Sequence, residues 1–227
     1  MTDRKDTWNE FNSLIPFKPC SSYVLAGPTG SGKSTFIKRF IQDIDGMYDK
    51  DPPVETLYCY DIHQDIYDTM ERENSNLTFL EGLPSTEQLD AFLKDSQHRL
   101  LILDDMQNVI RNSSLVESLF TAGCHHRYLS VMYVTQNLFQ QGTRSRTISL
   151  NAFYHILFPS TRDRGQIATL GRQLFWEKSK YFVKIYEDVL KNGYRYLIID
   201  NTPDANPDYR LRTCIFPGED VIVYQIP

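Results

Sequence analysis

The chain has 227 residues, 41% of them hydrophobic, enough for the core of one large domain or of one domain with an appendage. Its net charge of −5 argues against indiscriminate nucleic-acid binding, yet residues 141–184 hold eight Lys/Arg and two acids, net +6, leaving −11 on the rest. Cys20, Cys59, Cys124 and Cys214 form no CxxC pair, which predicts reduced thiols in a cytosolic or nuclear setting; MTDRKDTWNE lacks signal-peptide features, and no apolar run approaches the roughly 20 residues of a membrane span.

Residues 1–18 read as a loosely packed polar arm anchored by Trp8, Phe11 and Phe17. The apolar run Tyr23–Ala26 then predicts a strand that leads into Gly27-Pro28-Thr29-Gly30-Ser31-Gly32-Lys33-Ser34-Thr35 and on into a helix. This is G-x-x-x-x-G-K-[ST] in its required strand–loop–helix context. The glycines allow φ > 0 and let backbone N–H groups wrap an anion, while the helix starting near Lys33 adds its positive dipole end. In that geometry Lys33 reaches the β- and γ-phosphates of a nucleotide, and the Ser34 hydroxyl ligates Mg²⁺. Phe36, Ile37, Phe40, Ile41 and Ile44 fall on one face of the predicted helix, as burial requires.

Asp51-Pro52-Pro53 breaks the chain. Thr56–Tyr60 reads as a second strand, residues 61–73 as an exposed helix, Leu77–Leu80 as a short strand, and Ser85 opens a helix running to about Lys94. Arg99–Asp105 is the second strong signal. Its continuous apolar run marks a central strand buried on both faces, and two carboxylates close it. Carboxylates there are costly to bury unpaired, and a metal ion with its water would satisfy them. In this Walker B pattern Asp104 holds Mg²⁺ through water, and Asp105 stands where a base orients the attacking water.

A helix is predicted from about Leu115 to Ala122, ended by Gly123 to Arg127. His125 and His126 are adjacent, so they do not share a helix face, and they read as cations suited to the helix C-terminus rather than as metal ligands. Ser130–Thr135 is another buried strand and ends in Gln136. The phosphate loop, Asp104–Asp105 and Gln136 all stand just past strand ends, where ligands bind in an open parallel sheet. They therefore point into one cleft, with Gln136 on the γ-phosphate or the attacking water. The stretch from Gln141 to Arg146 reads as a flexible basic loop, Asn151–Phe158 as a strand and Arg164–Leu174 as a helix. Arg144, Arg146, Arg162, Arg164 and Arg172 offer a phosphate-reading surface or a solvated helix face; charge patterning alone leaves both open. A helix over Lys178–Lys191, a strand over Tyr196–Asp200 and a hairpin of Leu211–Phe216 with Val221–Tyr224 complete the chain.

Together, PFKPCSSYVLAGPTGSGKST, LLILDDM, the segment running from CHHRYLSVMYVTQNLF through RTISLNAFYHILF, RDRGQIATLGRQ and YRYLIIDNTPDANPDYRLRTCIFPGE resemble the FtsK–HerA superfamily of viral DNA-packaging ATPases. The type is that of Maverick/Polinton elements, adintoviruses and virophages, with poxvirus packaging ATPases as distant relatives. The resemblance spans about Pro16 to Glu219. It implies an α/β, RecA-like (ASCE) P-loop NTPase with a mostly parallel sheet flanked by helices and a C-terminal β-hairpin extension. The Gln136 strand would lie between the phosphate-loop and Walker B strands. Expected divisions are an arm at 1–18, an ATPase core at 19–175 and an extension at 176–227. The implied activity is ATP hydrolysis with Mg²⁺, driving double-stranded DNA into a preformed capsid. The implied partners are DNA, a capsid or portal protein and further copies in a hexameric or pentameric ring, in a host nucleus or cytoplasmic viral factory, with no membrane. Many such motors carry Asp-Glu where this chain has Asp104-Asp105, so the catalytic water must sit closer.

The predicted cleft holds Lys33 but no arginine. Arg127 precedes the Gln136 strand, at the end of the sheet away from its own nucleotide, and could serve the next subunit's γ-phosphate, with Arg144 and Arg146 in reserve. Three other readings compete. A nucleoside or nucleotide phosphotransferase shares the loop but needs an acceptor pocket, and no signature of one is visible. A GTPase switch is matched by letter at Asp43–Gly46, yet that stretch ends a helix and no NKxD motif is present. A non-hydrolysing scaffold would not need Lys33, Ser34, Asp104 and Asp105 intact.

Overall fold

The computed structural model describes residues 16–106, 113–120, 127–139, 143–160, 162, 164–193 and 195–227. Its first half runs β1 (Ser22–Ala26), α1 (Lys33–Gln42), α2 (Ile44–Met47), β2 (Glu55–Tyr60), α3 (Asp65–Glu73), β3 (Leu77–Glu81), α4 (Thr86–Phe92) and β4 (Arg99–Asp104). The second half runs α5 (Ser114–Ser118), β5 (Leu129–Thr135), α6 (Thr143–Asn151), β6 (Tyr154–Leu157), α7 (Arg164–Phe175), α8 (Ser179–Lys191), β7 (Leu197–Asp200), β8 (Leu211–Thr213) and β9 (Ile222–Tyr224).

Among the described residues these strands form one sheet in the order β3-β2-β4-β5-β1-β6-β7-β8-β9. Pairing is parallel from β3 through β6 and antiparallel from β6 to β9. The strand order puts β5 between β4 and β1, as the resemblance implies. Every residue of β1, β4 and β5 is buried, the mark of strands covered on both faces.

Alternation along these strands divides the core into two layers. Tyr23, Leu25, Leu100, Ile102, Met132 and Val134 face one side and pack with α1 and α3 through Phe36, Ile37, Phe40, Tyr67 and Met70. Val24, Leu101, Leu103, Val131 and Tyr133 face the other and pack with α4, α5, α6, α7 and α8. Each such fully buried apolar side chain is worth about 1.5–3 kcal/mol of burial, so the two faces together fix the position of every strand end.

Local sequence sets several element boundaries. Ser85 caps α4 in a reciprocal box: its hydroxyl accepts from the Gln88 N–H at 3.2 Å, and the Gln88 side chain accepts from the Ser85 N–H at 2.9 Å. Arg99 opens β4 fully buried, which its ion pairs with Asp95 and with Glu55 (3.0 Å) make tolerable. Phe17 is buried against Tyr23, Phe40 and Tyr154, whereas Trp8 and Phe11 lie outside the described residues.

The structure corrects four expectations. The basic stretch at 141–146 is not a loop throughout: α6 begins at Thr143, while Gln141 and Gly142 lie outside the described residues. Burial of Ile148 and Ala152 one turn apart holds this helix down, a signal too short to stand out among its polar neighbours. The strand expected over Asn151–Phe158 is shortened to β6, because Asn151 still belongs to α6. The helix expected to be exposed over 61–73 begins at Asp65 and buries Tyr67 and Met70. The helix expected from Leu115 runs over Ser114–Ser118, and Thr121 to His126, including Cys124 and both histidines, lie outside the described residues.

Candidate active site

The loop after β1 is shaped by its glycines. A Cβ on Gly27 would stand 2.4 Å from the Phe158 Cβ, so only glycine allows the loop to leave the sheet beside β6. Gly30 (φ 76°) and Gly32 (φ 99°) take left-handed backbone that L side chains rarely adopt. Gly32 stands directly before α1, whose first turn carries no acidic residue and has no side-chain cap. The N–H groups of that turn and the helix dipole therefore act together on whatever anion enters.

Lys33 donates to the carbonyls of Gly27 (2.7 Å) and Pro28 (3.0 Å). Burial draws its ammonium below the ordinary lysine value, against the pull of the Asp104 and Asp105 carboxylates. Ser34 directs its hydroxyl at the Gln64 side-chain oxygen, 3.5 Å away.

Asp104 ends β4 and is buried, with Oδ2 accepting hydrogen bonds from Tyr58 Oη (2.5 Å) and Tyr67 Oη (2.8 Å). Burial raises its carboxyl above the usual range, the two phenols and Lys33 pull it down, and Asp105 adds to the rise. Asp105 has φ 51°, a left-handed conformation that asparagine and aspartate tolerate better than other non-glycine residues. It turns the chain off the strand at a point where strain is commonly tied to function. Its carboxylate accepts from Gln136 Nε2 at 2.6 Å, and its N–H bonds the Val134 carbonyl at 3.1 Å.

Thr29, Gly30, Gly32, Lys33, Ser34, Thr35, Gln64, Asp104, Asp105 and Gln136 line one cleft of about 280 Å³ at the carboxyl ends of the parallel strands. The loop, the acidic pair and Gln136 thus come together as the strand pattern predicts. One carboxylate and one hydroxyl suit Mg²⁺, which takes few protein oxygens and fills its octahedron with water and phosphate; Asp104 and Ser34 would hold it. Gln64, Tyr58 and Tyr67 were not legible as site residues. The alternation of Tyr58, Cys59 and Tyr60 marks which residues share a face of β2, but nothing local shows that Tyr58 meets Asp104.

Among the described side chains, no arginine lines the cleft. Arg127 is exposed before the start of β5, 3.7 Å from Asp90, while Gln136 follows the far end of that strand. Seven strand residues at about 3.3 Å each separate the two by roughly 20 Å or more. Arg162 and Arg172 are exposed, and Arg164 lies 3.9 Å from Glu187. Arg144 and Arg146 belong to the α6 backbone, and their side chains lie outside the described residues.

Behind the loop, the turn at Phe216–Glu219 grips α1. Arg39 pairs with Glu219 at 2.5 Å and lies 4.3 Å over the Phe216 ring, and the other Glu219 oxygen accepts from Tyr196 Oη at 3.2 Å. The phosphate-loop helix is thereby tied to the end of the antiparallel strands.

No protein-family model matches the chain, and no curated protein does. Solved structures do. The genome-packaging NTPase B204 of Sulfolobus turreted icosahedral virus 2, in complex with sulfate, superposes with a TM-score of 0.58 at 15% identity, covering 91% of this chain and 97% of that one. B204, the DNA-packaging ATPase of Sulfolobus turreted icosahedral virus, gives a TM-score of 0.55 at 14% identity over 93% of this chain and 100% of that one. The virus 2 protein in complex with ATP-γS gives 0.53 at 16% identity, over 91% and 98%. In its mostly parallel sheet, flanking helices and phosphate-loop cleft, the chain has the P-loop NTPase fold that these B204 proteins share.

Proposed function

We propose that the chain is an ATP-driven double-stranded DNA translocase of the FtsK–HerA type that packages a viral or virus-like genome into a preformed capsid. The observation that carries this reading is one cleft in which Lys33, Ser34, Asp104 and a Gln136-bonded Asp105 converge, with the Gln136 strand between the other two. The likeness to B204 structures described as genome-packaging NTPases supports the packaging role.

In this reading the loop amides and the α1 N-terminus bind the triphosphate, and Lys33 exchanges the Gly27 and Pro28 carbonyls for phosphate oxygens. Held by Asp104 and Ser34, Mg²⁺ would supply charge neutralisation to the triphosphate. Asp105 accepts a proton from the attacking water. Gln136 holds that carboxylate in place through its amide N–H and leaves its carbonyl oxygen for the water.

Positive charge at the γ-phosphate comes from a neighbouring subunit in a closed ring, with Arg127 as the donor, since it stands too far from its own cleft. Arg144, Arg146, Arg162, Arg164 and Arg172 meet DNA phosphates. A capsid or portal protein is the docking partner, in a host nucleus or viral factory.

Triplex displacement tests the function. A duplex carrying a third strand is incubated with the protein and ATP. Loss of the third strand with ATP, and none with a non-hydrolysable analogue, is expected. ATP hydrolysis without displacement would reject translocation and, with it, packaging.

A further inference from the structure

Asp104 is gripped by two phenols on a single oxygen. Tyr58 comes from β2, the strand beside β4, and Tyr67 comes from α3, which packs over that strand. Both donate to Oδ2, at 2.5 and 2.8 Å, and neither reaches Oδ1. The two rings stand 5.0 Å apart, and Phe79 packs against both, at 4.9 and 5.1 Å. Tyr58 is wholly buried and Tyr67 is 2% exposed.

Filling this space does not require hydroxyls. Phenylalanine would fill it as Phe79 does, without a polar group that must then find a partner. What the hydroxyls add is control of a carboxylate. Two donors on one oxygen fix rotation about the Cβ–Cγ bond of Asp104 and set where the other oxygen points. Charge-assisted bonds of this kind are short and about twice as strong as neutral ones. The element that supplies Tyr67 touches the cleft a second time, because Gln64 immediately precedes α3 and faces the Ser34 hydroxyl at 3.5 Å. The chain thus brings α3 to both groups that would hold the cation.

We propose that Tyr58 and Tyr67 are positioning residues for the divalent-cation site: by holding Oδ2 of Asp104 they present Oδ1 to the cation and its water shell. The inference rests on the assignment of Asp104 as a cation-holding group. It makes α3 part of the site, although α3 carries no motif.

The test uses the full chain with Tyr58→Phe, Tyr67→Phe, the double variant and Asp104→Asn. Mn²⁺ serves as the probe cation and is titrated by electron paramagnetic resonance in the presence of ADP. ADP affinity and thermal unfolding are measured in EDTA. Removing an outer hydrogen bond to a metal ligand typically weakens metal affinity by 10–100-fold. Each single variant is expected to weaken Mn²⁺ binding by about tenfold and the double variant by up to about a hundredfold, with ADP affinity in EDTA unchanged. Excess Mg²⁺ is expected to restore hydrolysis by Tyr67→Phe toward the parent rate.

Should Tyr58→Phe fail to fold, Tyr67→Phe and trifluorotyrosine at position 67 decide the matter. The fluorinated phenol keeps the ring and changes only the donor, so a shift in Mn²⁺ affinity is still expected. Mn²⁺ affinity that is unchanged in the tyrosine variants but lost in Asp104→Asn would overturn the proposal and leave the hydroxyls as core hydrogen bonds. Mn²⁺ affinity retained in Asp104→Asn would instead remove Asp104 from the site, a failure of the reading beneath.

Discussion

The two halves of the sheet handle buried charge in opposite ways. At the carboxyl ends of β4, β5 and β1, charges are held but not closed off. Lys33 rests on two exchangeable carbonyls, Asp104 has one oxygen fixed by phenols, and Asp105 sits on left-handed backbone beside Gln136. In the antiparallel half, polar groups pair chiefly with one another, although Arg212 Nη2 is buried without a hydrogen-bond partner. Arg212 donates to Asp200 (3.2 Å) and to the Tyr209 carbonyl (3.1 Å). Thr202 bonds the other Asp200 oxygen twice, Arg210 reaches the Asp200 carbonyl and Asn201, and His155 is set between Asn201 and Ser149. The difference teaches where the fold places stability and where it places reactivity. The paired groups tie the antiparallel strands to one another, and the same end of the sheet grips α1 through Arg39 and Glu219. The open edge keeps its charges ready for a ligand.

Substitutions that touch only one half break or sharpen this contrast. The largest effect is expected for Lys33→Ala: ATP hydrolysis falls to background and nucleotide binding weakens, while thermal stability without nucleotide changes little. Near-parent turnover would sever the loop from catalysis. Asp105→Asn comes next. Asparagine accepts φ 51° as readily as aspartate does, so the backbone is undisturbed. ATP still binds, and single-turnover hydrolysis falls by about 10²–10⁴, the usual worth of a general base. Lost binding with an unchanged rate per bound ATP would make Asp105 a metal ligand instead.

Asp200→Asn reverses the pattern. It leaves the buried Arg212 charge uncompensated, which typically costs about 3–5 kcal/mol of stability. Urea unfolding measures that loss, and hydrolysis per folded molecule should stay within a factor of about two, since the cleft is untouched. A large change in kcat without a change in stability would contradict the division.

The smallest effect concerns pH. Burial pulls the His155 imidazole down to about 4. A folded value below the ordinary one of about 6.5 means that the fold holds the neutral ring. The stability this contributes is complete above about pH 6.5 and is lost as pH falls toward 4, by up to roughly 3 kcal/mol. Unfolding of the parent and of His155→Gln across this window should differ in slope, with the variant flatter; parallel curves would remove His155 from the acid response.

Legibility in the sequence follows the same divide. Strands buried on both faces are continuous apolar runs, so β1, β4 and β5 stand out, and their order in the chain brings Lys33, Asp104, Asp105 and Gln136 to one edge. The phosphate loop is local, and a local motif is read where it stands. Tyr58 and Tyr67 meet Asp104 across 46 and 37 residues, a pairing that only the packed sheet creates. The network of Asp200, Arg210 and Arg212 was hidden for the same reason, since its charges look like those of any solvated turn. Helix α6 was obscured by its own composition, with arginines and small polar residues around the buried Ile148.

The proposed coupling of the open edge to DNA has one direct measurement: the steady-state rate of ATP hydrolysis with and without double-stranded DNA, at fixed low salt. A translocase spends ATP when its track is present, so duplex DNA should raise kcat several-fold, and the rise should fade as salt screens the phosphate contacts. A rate indifferent to duplex DNA at every salt concentration, in protein that binds and hydrolyses ATP, would contradict the motor and leave a nucleotide hydrolase with another purpose.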